Sequence, residues 1–333
     1  MSRYSRQEVL PQIGKVGQER LGKARVAVVG LGALGSVAAS LLARAGVGHL
    51  RLIDRDVVEL SNLQRQALFT EADLDRPKAV VGRERLVAVN SEITIEAFAK
   101  DVNVVTAEGL LTGVDLLLDG TDNMETRLLV NDVCLKHGLP WVYAGAVATH
   151  GMVMALVPGK TACFRCFVPS VPAPGTLETC DTAGIVATTS TTVASMQVTE
   201  GLRLLLGEPP SGKILAYEGW THELRALSLA QRKDCPACVQ GRRDFLEVAR
   251  SEVLVALCGR NAMSLDPLRE DTIPLEAIAA RLRGIGKVRE ADGVLVAEVD
   301  PYVITLFSDG RAVIRGTDDP AVARSVYARY VGA

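Results

Sequence analysis

The pattern Gly30-x-Gly32-x-x-Gly35 follows the unbroken apolar run Val26 to Val29 and opens a stretch, Ser36 to Ala45, that reads as a helix. Few folds accept that order. The apolar run is too short for a helix and suits a buried strand, while the glycines let the chain bend tightly and bring its amides close to an anion. Unpaired N–H groups and the positive dipole end of the helix then face whatever occupies the turn. This is the phosphate cradle of a Rossmann-like, mostly parallel α/β sheet. A second apolar strand closes on Asp54, 19 residues beyond Gly35, where a carboxylate can accept hydrogen bonds from ribose hydroxyls.

On its own the glycine turn points first to an NAD-dependent oxidoreductase. The residues after Asp54 shift that balance. Asp56, Glu59, Ser61, Asn62, Gln64, Arg65 and Gln66 form a dense polar run beside the expected phosphates. A pyrophosphate is satisfied by the helix N-terminus, whereas a triphosphate needs further cations and amides; Arg65 is such a cation.

The sequence holds 333 residues, 48% of them hydrophobic, room for one large α/β domain and a smaller one. A net charge of -2 offers no basic field for nucleic acid. Residues 26–43 carry no charge, but three glycines interrupt them, so strand, turn and helix explain the run better than a membrane span. The N-terminal residues lack the apolar centre of a signal peptide, and the expected location is the cytoplasm.

Four of the seven cysteines form two C-x-x-C pairs, Cys163/Cys166 and Cys235/Cys238, separated by 68 residues. In an intracellular chain four thiolates point to tetrahedral Zn²⁺ with no position left open for water, hence a structural site. Cys134 and Cys258 read as packed core residues. Cys180 lies in a Pro/Gly-rich passage, residues 169–184, that reads as a long loop without helix.

The βα alternation continues through a helix from Pro77 to Val89, a strand Thr94 to Phe98, and a buried strand Val114 to Asp119. Asp122 follows that strand, where open parallel sheets bind ligands; it also qualifies as N-cap of the next helix, a role worth ~1 kcal/mol. Strands at Trp141 to Ala146 and Gly151 to Val157, a helix Thr188 to Leu206 and strands Ile214 to Tyr217 and Leu224 to Leu229 complete the first domain, residues 1–241. Residues 245–333 read as a small α+β domain with strands at Val253 to Leu257 and Val294 to Val299. It also has a helix Leu275 to Arg283, a hairpin over an Asp309-Gly310 turn and a final helix behind Asp319-Pro320.

The glycine turn, the run Asp54 to Gln66, Thr121-Asp-Asn123 and the paired C-x-x-C recur in one order across residues 3–241, and together they resemble the MoeB/ThiF adenylyltransferases, relatives of ubiquitin-activating enzymes. The resemblance implies a Mg-ATP-dependent adenylation of the C-terminal glycine carboxylate of a ubiquitin-like sulfur carrier protein. The product is prepared for thiocarboxylate formation in thiamin-thiazole or molybdopterin biosynthesis. By position, Gly30, Gly32 and Gly35 would cradle the phosphates, Asp54 would hold the ribose, Asn62, Arg65 and Lys78 the phosphates, and Asp122 the Mg²⁺. Arg6 matches an arginine lent to the partner subunit, which implies a homodimer. Cys180 matches a loop cysteine that thiazole-type members link to the carrier through sulfur, with a cysteine desulfurase as the sulfur donor. Ala33 departs from the family's usual glycine, and the tail beyond Phe245 exceeds the family's short form. Adenylation of a tRNA-bound carboxylate or of a protein modifier, and a catalytically silent scaffold, are the other readings that keep this fold.

Overall fold

The computed structural model describes residues 2–172, 176, 178–248, 253–257, 261–268 and 272–332. An N-terminal arm carries one helical turn, α1 (Ser5–Glu8), and a longer helix, α2 (Gly14–Lys23), before the chain enters β1 (Arg25–Val29). Alternation follows: α3 (Gly35–Ala45), β2 (His49–Ile53), α4 (Lys78–Val89), β3 (Thr94–Phe98), α5 (Ala107–Leu111), β4 (Leu116–Asp119), α6 (Met124–His137) and β5 (Trp141–Val147). Then come β6 (His150–Leu156), the short turns α7 (Phe164–Phe167) and α8 (Cys180–Ala183), the long α9 (Ala187–Leu205), and the hairpin β7 (Lys213–Glu218) and β8 (Glu223–Ser228).

The eight strands form one sheet in the order β3-β2-β1-β4-β5-β6-β7-β8. From β3 to β5 the pairs are parallel, with Val28 opposite Leu52 on one side and Leu118 on the other; β6, β7 and β8 add antiparallel. β1 is apolar without alternation because both sheet faces are covered. Val26, Val28, Leu50, Leu52, Leu116 and Leu118 meet α3, α4 and α9 on one face. Ala27, Val29, Ile53 and Leu117 meet α5 and α6 on the other. Strand order reverses between β1 and β4, so the crevice past their carboxyl ends is the ligand position in a sheet of this type.

Two expectations need correction. The passage around Cys180 is not loop throughout, because Cys180 opens the helical turn α8. Thr179 caps it, its hydroxyl accepting from the Thr182 amide at 3.3 Å; the prolines that forbid a helix all precede this cap. The N-cap of α6 is Asn123, whose Oδ1 accepts from the Thr126 N–H at 2.8 Å, and not Asp122. Five labelled elements, α1, α5, α7 and two strands named below, are additional to those expected; at four or five residues each they are too short for a period to stand out. Cys134 is buried within α6 as expected, and Cys258 lies outside the described residues. Among the described residues no helix is long and apolar enough to cross a membrane.

The chain divides into two compact units, the first covering residues up to 74 and 78–248, the second 75–77 and 249–333. The second unit is a six-stranded antiparallel sheet, β11-β12-β13-β14-β10-β9. Its elements are β9 (Val253–Leu257), β10 (Ala262–Asp266), α10 (Leu275–Leu282), β11 (Lys287–Ala291), β12 (Val294–Val299), β13 (Tyr302–Phe307), β14 (Ala312–Arg315) and α11 (Pro320–Tyr330). Ile278 and Leu282 of α10 and Val326 of α11 pack on Leu295, Ile304 and Leu306. Asp319 caps α11 through the Ala321 and Val322 amides, with Pro320 in the first turn as expected.

Candidate active site

The three glycines of the first βα turn do different work. Gly30 has φ +83, and a Cβ there would lie 2.6 Å from the Gly120 carbonyl oxygen. At Gly35 a Cβ would stand 1.7 Å from the Gly30 oxygen, so this glycine lets α3 press against the end of β1. Gly32 is different. A Cβ there meets nothing nearer than 3.9 Å, and its φ is not left-handed. The fold does not require Gly32, so its bareness is left for an approaching ligand, as the middle glycine of such turns is for a phosphate. Ala33 stays out of the left-handed region, so the departure from glycine is accommodated.

Asp54 stands at the end of β2 and ties this turn down. Its Oδ2 accepts from the Leu31 N–H at 2.5 Å and its Oδ1 from the Asp56 N–H at 2.7 Å. Burial pushes its carboxyl above the usual range, against the pull of the Lys78 ammonium and these amides. Lys78, at the start of α4, is buried with Nζ 3.5 Å from Asp56 Oδ2. Arg65 is half-buried and donates to the Ser61 carbonyl at 2.9 Å. Asn62 is buried, its Oδ1 without a protein partner. Burial alone would lower the Arg55 guanidinium, but Asp101, Asp56, Asp122 and Asp54 hold it above its ordinary value. Asp54, Asp56 and Asp122 therefore share one electrostatic neighbourhood with Arg55 and Lys78.

Asp122 is exposed on the turn after β4, and because Asn123 does the capping its carboxylate is not spent on helix amides. That turn abuts the glycine turn, since a Cβ on Gly120 would lie 2.5 Å from the Gly30 oxygen. Arg6 sits elsewhere. Its neighbour Gln7 donates to the carbonyl of Ala45, the last residue of α3, at 3.0 Å, and α3 is ~15 Å long. Arg6 is exposed at the opposite end of that helix from the glycines. Cys180 is half-buried, with Sγ donating to the Ala146 carbonyl at 3.6 Å.

Sequence reasoning missed the groups that brace the Asp122 turn. Asp119, Arg127, Tyr143 and Gln197 form a buried polar set behind it, joined by the half-buried Thr121. Gln197 Nε2 donates to the carbonyls of Asp119 at 2.7 Å and Val142 at 2.8 Å, bridging β4 and β5. One signal was available: Arg127 interrupts an apolar helix face that continues through Leu128, Val130 and Cys134.

The two C-x-x-C pairs come together. The sulfurs of Cys163, Cys166, Cys235 and Cys238 all lie within 4.8 Å of one another. Neighbouring sulfurs are 3.6 Å (Cys163 to Cys235), 3.6 Å (Cys166 to Cys238) and 3.9 Å apart (Cys163 to Cys166). A tetrahedral zinc thiolate site with bonds of ~2.3 Å has an edge of ~3.8 Å, so the set fits Zn²⁺. The Arg232 amide and the Gln231 side chain point at Cys166 and Cys238, 3.4 and 3.3 Å from sulfur, as donors that stabilise thiolates do. Burial and the neighbouring thiols push Cys163 up, and burial pushes Cys166 up to about 11; Cys235 is held lower, in spite of its burial, by the Cys238 and Ala237 amides. Cys163 and Cys166 therefore resist ionising unaided, and a divalent cation would supply the missing charge. Asn131 Oδ1 receives the Phe164 N–H at 2.9 Å and so anchors this knuckle to α6.

A Rossmann-like sheet, a bare glycine facing the helix mouth, acidic and basic side chains converging there and a four-thiol knuckle able to hold a metal ion define a nucleotide-binding α/β protein. The chain belongs to the ThiF family, whose model matches residues 4–237. It is 39% identical over 336 residues to the sulfur carrier protein ThiS adenylyltransferase of Bacillus subtilis (strain 168), covering 99% of both chains. It is 40% identical over 238 residues to the protein of the same name from Escherichia coli (strain K12), covering 71% of this chain and 94% of that one. Among solved structures, E. coli MccB superposes with a TM-score of 0.63 at 25% identity over 71% of this chain and 72% of its own. The family sets aside the nicotinamide alternative.

Proposed function

We propose that this protein is the ATP-dependent adenylyltransferase of a ubiquitin-like sulfur carrier, of the thiazole type. The observation that carries the reading is the bare Gly32 at the mouth of α3, beside Asp54, Lys78 and Asp122. The match to a ThiS adenylyltransferase along nearly the whole of both chains supports the thiazole branch.

ATP as substrate would lay its ribose toward Asp54 and its phosphates over the turn at Gly32, with Asn62, Arg65 and Lys78 around them. The carrier's terminal carboxylate attacks the α-phosphorus; one oxygen–phosphorus bond forms as the bond to the β-phosphate oxygen breaks, and pyrophosphate leaves. Carboxylate and triphosphate repel each other, so cations fixed before the reaction stabilise the developing charge. Lys78 is already buried and needs little reorganisation. Asp122 suits Mg²⁺, which takes one or two carboxylates alongside substrate phosphates; when bound, that ion offsets phosphate charge. Zn²⁺ in the four-thiol knuckle would tie the segments around Cys163 and Cys235 into one scaffold.

Arg6 lies too far along α3 to serve its own turn, which supports its donation to a second copy in a homodimer. The exposed apolar side chains Val9, Leu10 and Val16 on the same arm support an interface there. Cys180, half-buried in α8, would form the sulfur link with the activated carrier, and a cysteine desulfurase would be the sulfur donor.

ATP–pyrophosphate exchange with and without carriers ending in Gly-Gly tests the reading. Carrier-dependent exchange is expected; ATP binding without exchange on any carrier overturns it. Mass spectrometry of the trapped complex should find a reducible carrier adduct on Cys180.

A further inference from the structure

The ion pair behind Asp122 is not used by the chemistry above. Asp119 closes β4 and Arg127 lies in α6, and both are buried. Arg127 Nε meets Asp119 Oδ2 at 3.1 Å. The other Asp119 oxygen accepts from the Thr121 amide at 2.9 Å and the Thr121 hydroxyl at 2.7 Å. Arg127 Nη2 donates to the Thr121 carbonyl at 2.5 Å and to Ala144 on β5 at 3.4 Å, and the guanidinium lies 5.0 Å from the centre of the Tyr143 ring. One ion pair thus holds the amide, the hydroxyl and the carbonyl of a single residue. Gly120, which abuts the glycine turn, precedes that residue, and Asp122 follows it.

Stability is a weak reason for this arrangement, because removing two charges from water offsets much of their attraction. Fixing one geometry is a better one. A residue held at both its N–H and its C=O has the two peptide planes that flank its Cα fixed, so the next residue leaves the turn in a single direction.

We propose that Arg127 is a positioning residue of the nucleotide site: with Asp119 it locks Thr121 and thereby sets the direction in which Asp122 presents its carboxylate to the metal–nucleotide complex. The proposal rests on the adenylation reading for the identity of the nucleotide. Lysine cannot replace this arginine in function. Its single ammonium keeps the charge opposite Asp119 but lacks the planar fork that reaches Asp119, Thr121 and Ala144 together.

The test compares wild type with Arg127→Lys by binding of a fluorescent ATP analogue, first in EDTA and then with rising MgCl₂. Melting temperature is followed alongside. Arg127→Lys is expected to fold and to bind the analogue in EDTA like wild type. It should need ~10 to 100-fold more Mg²⁺ for half-maximal enhancement of binding, the range seen when groups behind a metal ligand are removed. An unchanged Mg²⁺ midpoint in a folded variant overturns the proposal. If Arg127→Lys does not fold, Thr121→Val removes one hydrogen bond of the clamp and should raise the midpoint ~2 to 10-fold; no change there overturns it equally. Wild type that binds Mg-ATP without carrier-dependent exchange refutes the adenylation reading while leaving the Mg²⁺ comparison intact. Wild type that binds no ATP refutes both.

Discussion

Gly32→Ala separates what the fold needs from what the ligand needs. The added methyl would meet only Gln66 Nε2 and the Gly120 oxygen, each at 3.9 Å, which is ordinary contact. Without strain or overpacking, the stability change should stay within ~0.5 kcal/mol, a shift in Tm of no more than ~2 °C. Nucleotide binding should respond very differently. A phosphate oxygen held ~2.9 Å from a backbone amide has no room for a methyl on the same turn. Displacement by ~1 Å can cost ~10²-fold, equivalent to ~2.7 kcal/mol. Gly35→Ala is the contrasting variant, because its methyl would sit 1.7 Å from the Gly30 oxygen. It should lose at least ~1 to 3 kcal/mol of stability by overpacking. Thermal melts and isothermal titration with Mg-ATP on both variants provide the comparison. A Gly32→Ala protein that melts well below wild type, or that binds Mg-ATP as tightly, would refute the division of labour among the glycines.

Replacing Asn123 with alanine should cost ~1 kcal/mol of stability through the lost cap, whereas Asp122→Ala should leave the melting temperature unchanged and abolish adenylate formation; a stability loss at Asp122 instead would contradict the assignment of the cap. Cys235→Ser should reduce bound zinc, measured by elemental analysis, and lower the melting temperature, with equal zinc content as the contrary result. Mixing inactive Arg6→Ala with inactive Lys78→Ala should restore part of the exchange activity if one subunit supplies the arginine and the other the lysine; no recovery from pre-mixed, refolded subunits would count against it. The Glu218 carboxyl is held down at about 2 by the His150 imidazole, 2.5 Å away, and by the Trp220 amide. Its contribution to stability is present above the ordinary 4.5 and is lost as pH falls toward about 2. Carboxyl NMR should show His150→Ala moving that titration upward, and an unmoved titration would rule out the pairing.

Several features could be read in advance because their cause is local. The run Val26 to Val29 with its glycines dictates strand, turn and helix wherever the rest of the chain goes, and a C-x-x-C pair presents two sulfurs together through its own short spacing. The hairpin over Asp309-Gly310 and the cap at Asp319 are local in the same sense. Cys180 was misread as loop because nearby prolines dominate the composition, while the turn is decided by a single pair of threonine hydrogen bonds at Thr179 and Thr182.

What the sequence by itself determined is therefore the kind of site: a phosphate cradle, an acid for ribose, a run of polar side chains and four thiols. The tertiary structure alone decided how these parts meet. Nothing in the sequence says that Gly120 will press against Gly30, that Arg127 will grip both Asp119 and Thr121, or that Asn123 will take the cap and leave Asp122 exposed. Those outcomes depend on β4 lying beside β1, a parallel pairing between segments roughly ninety residues apart that no local preference encodes. They follow once burial on both faces of the sheet fixes the strand order, because only then do Asp119, Arg127 and Gln197 come together in the buried space behind the Asp122 turn, where polar groups are mostly paired.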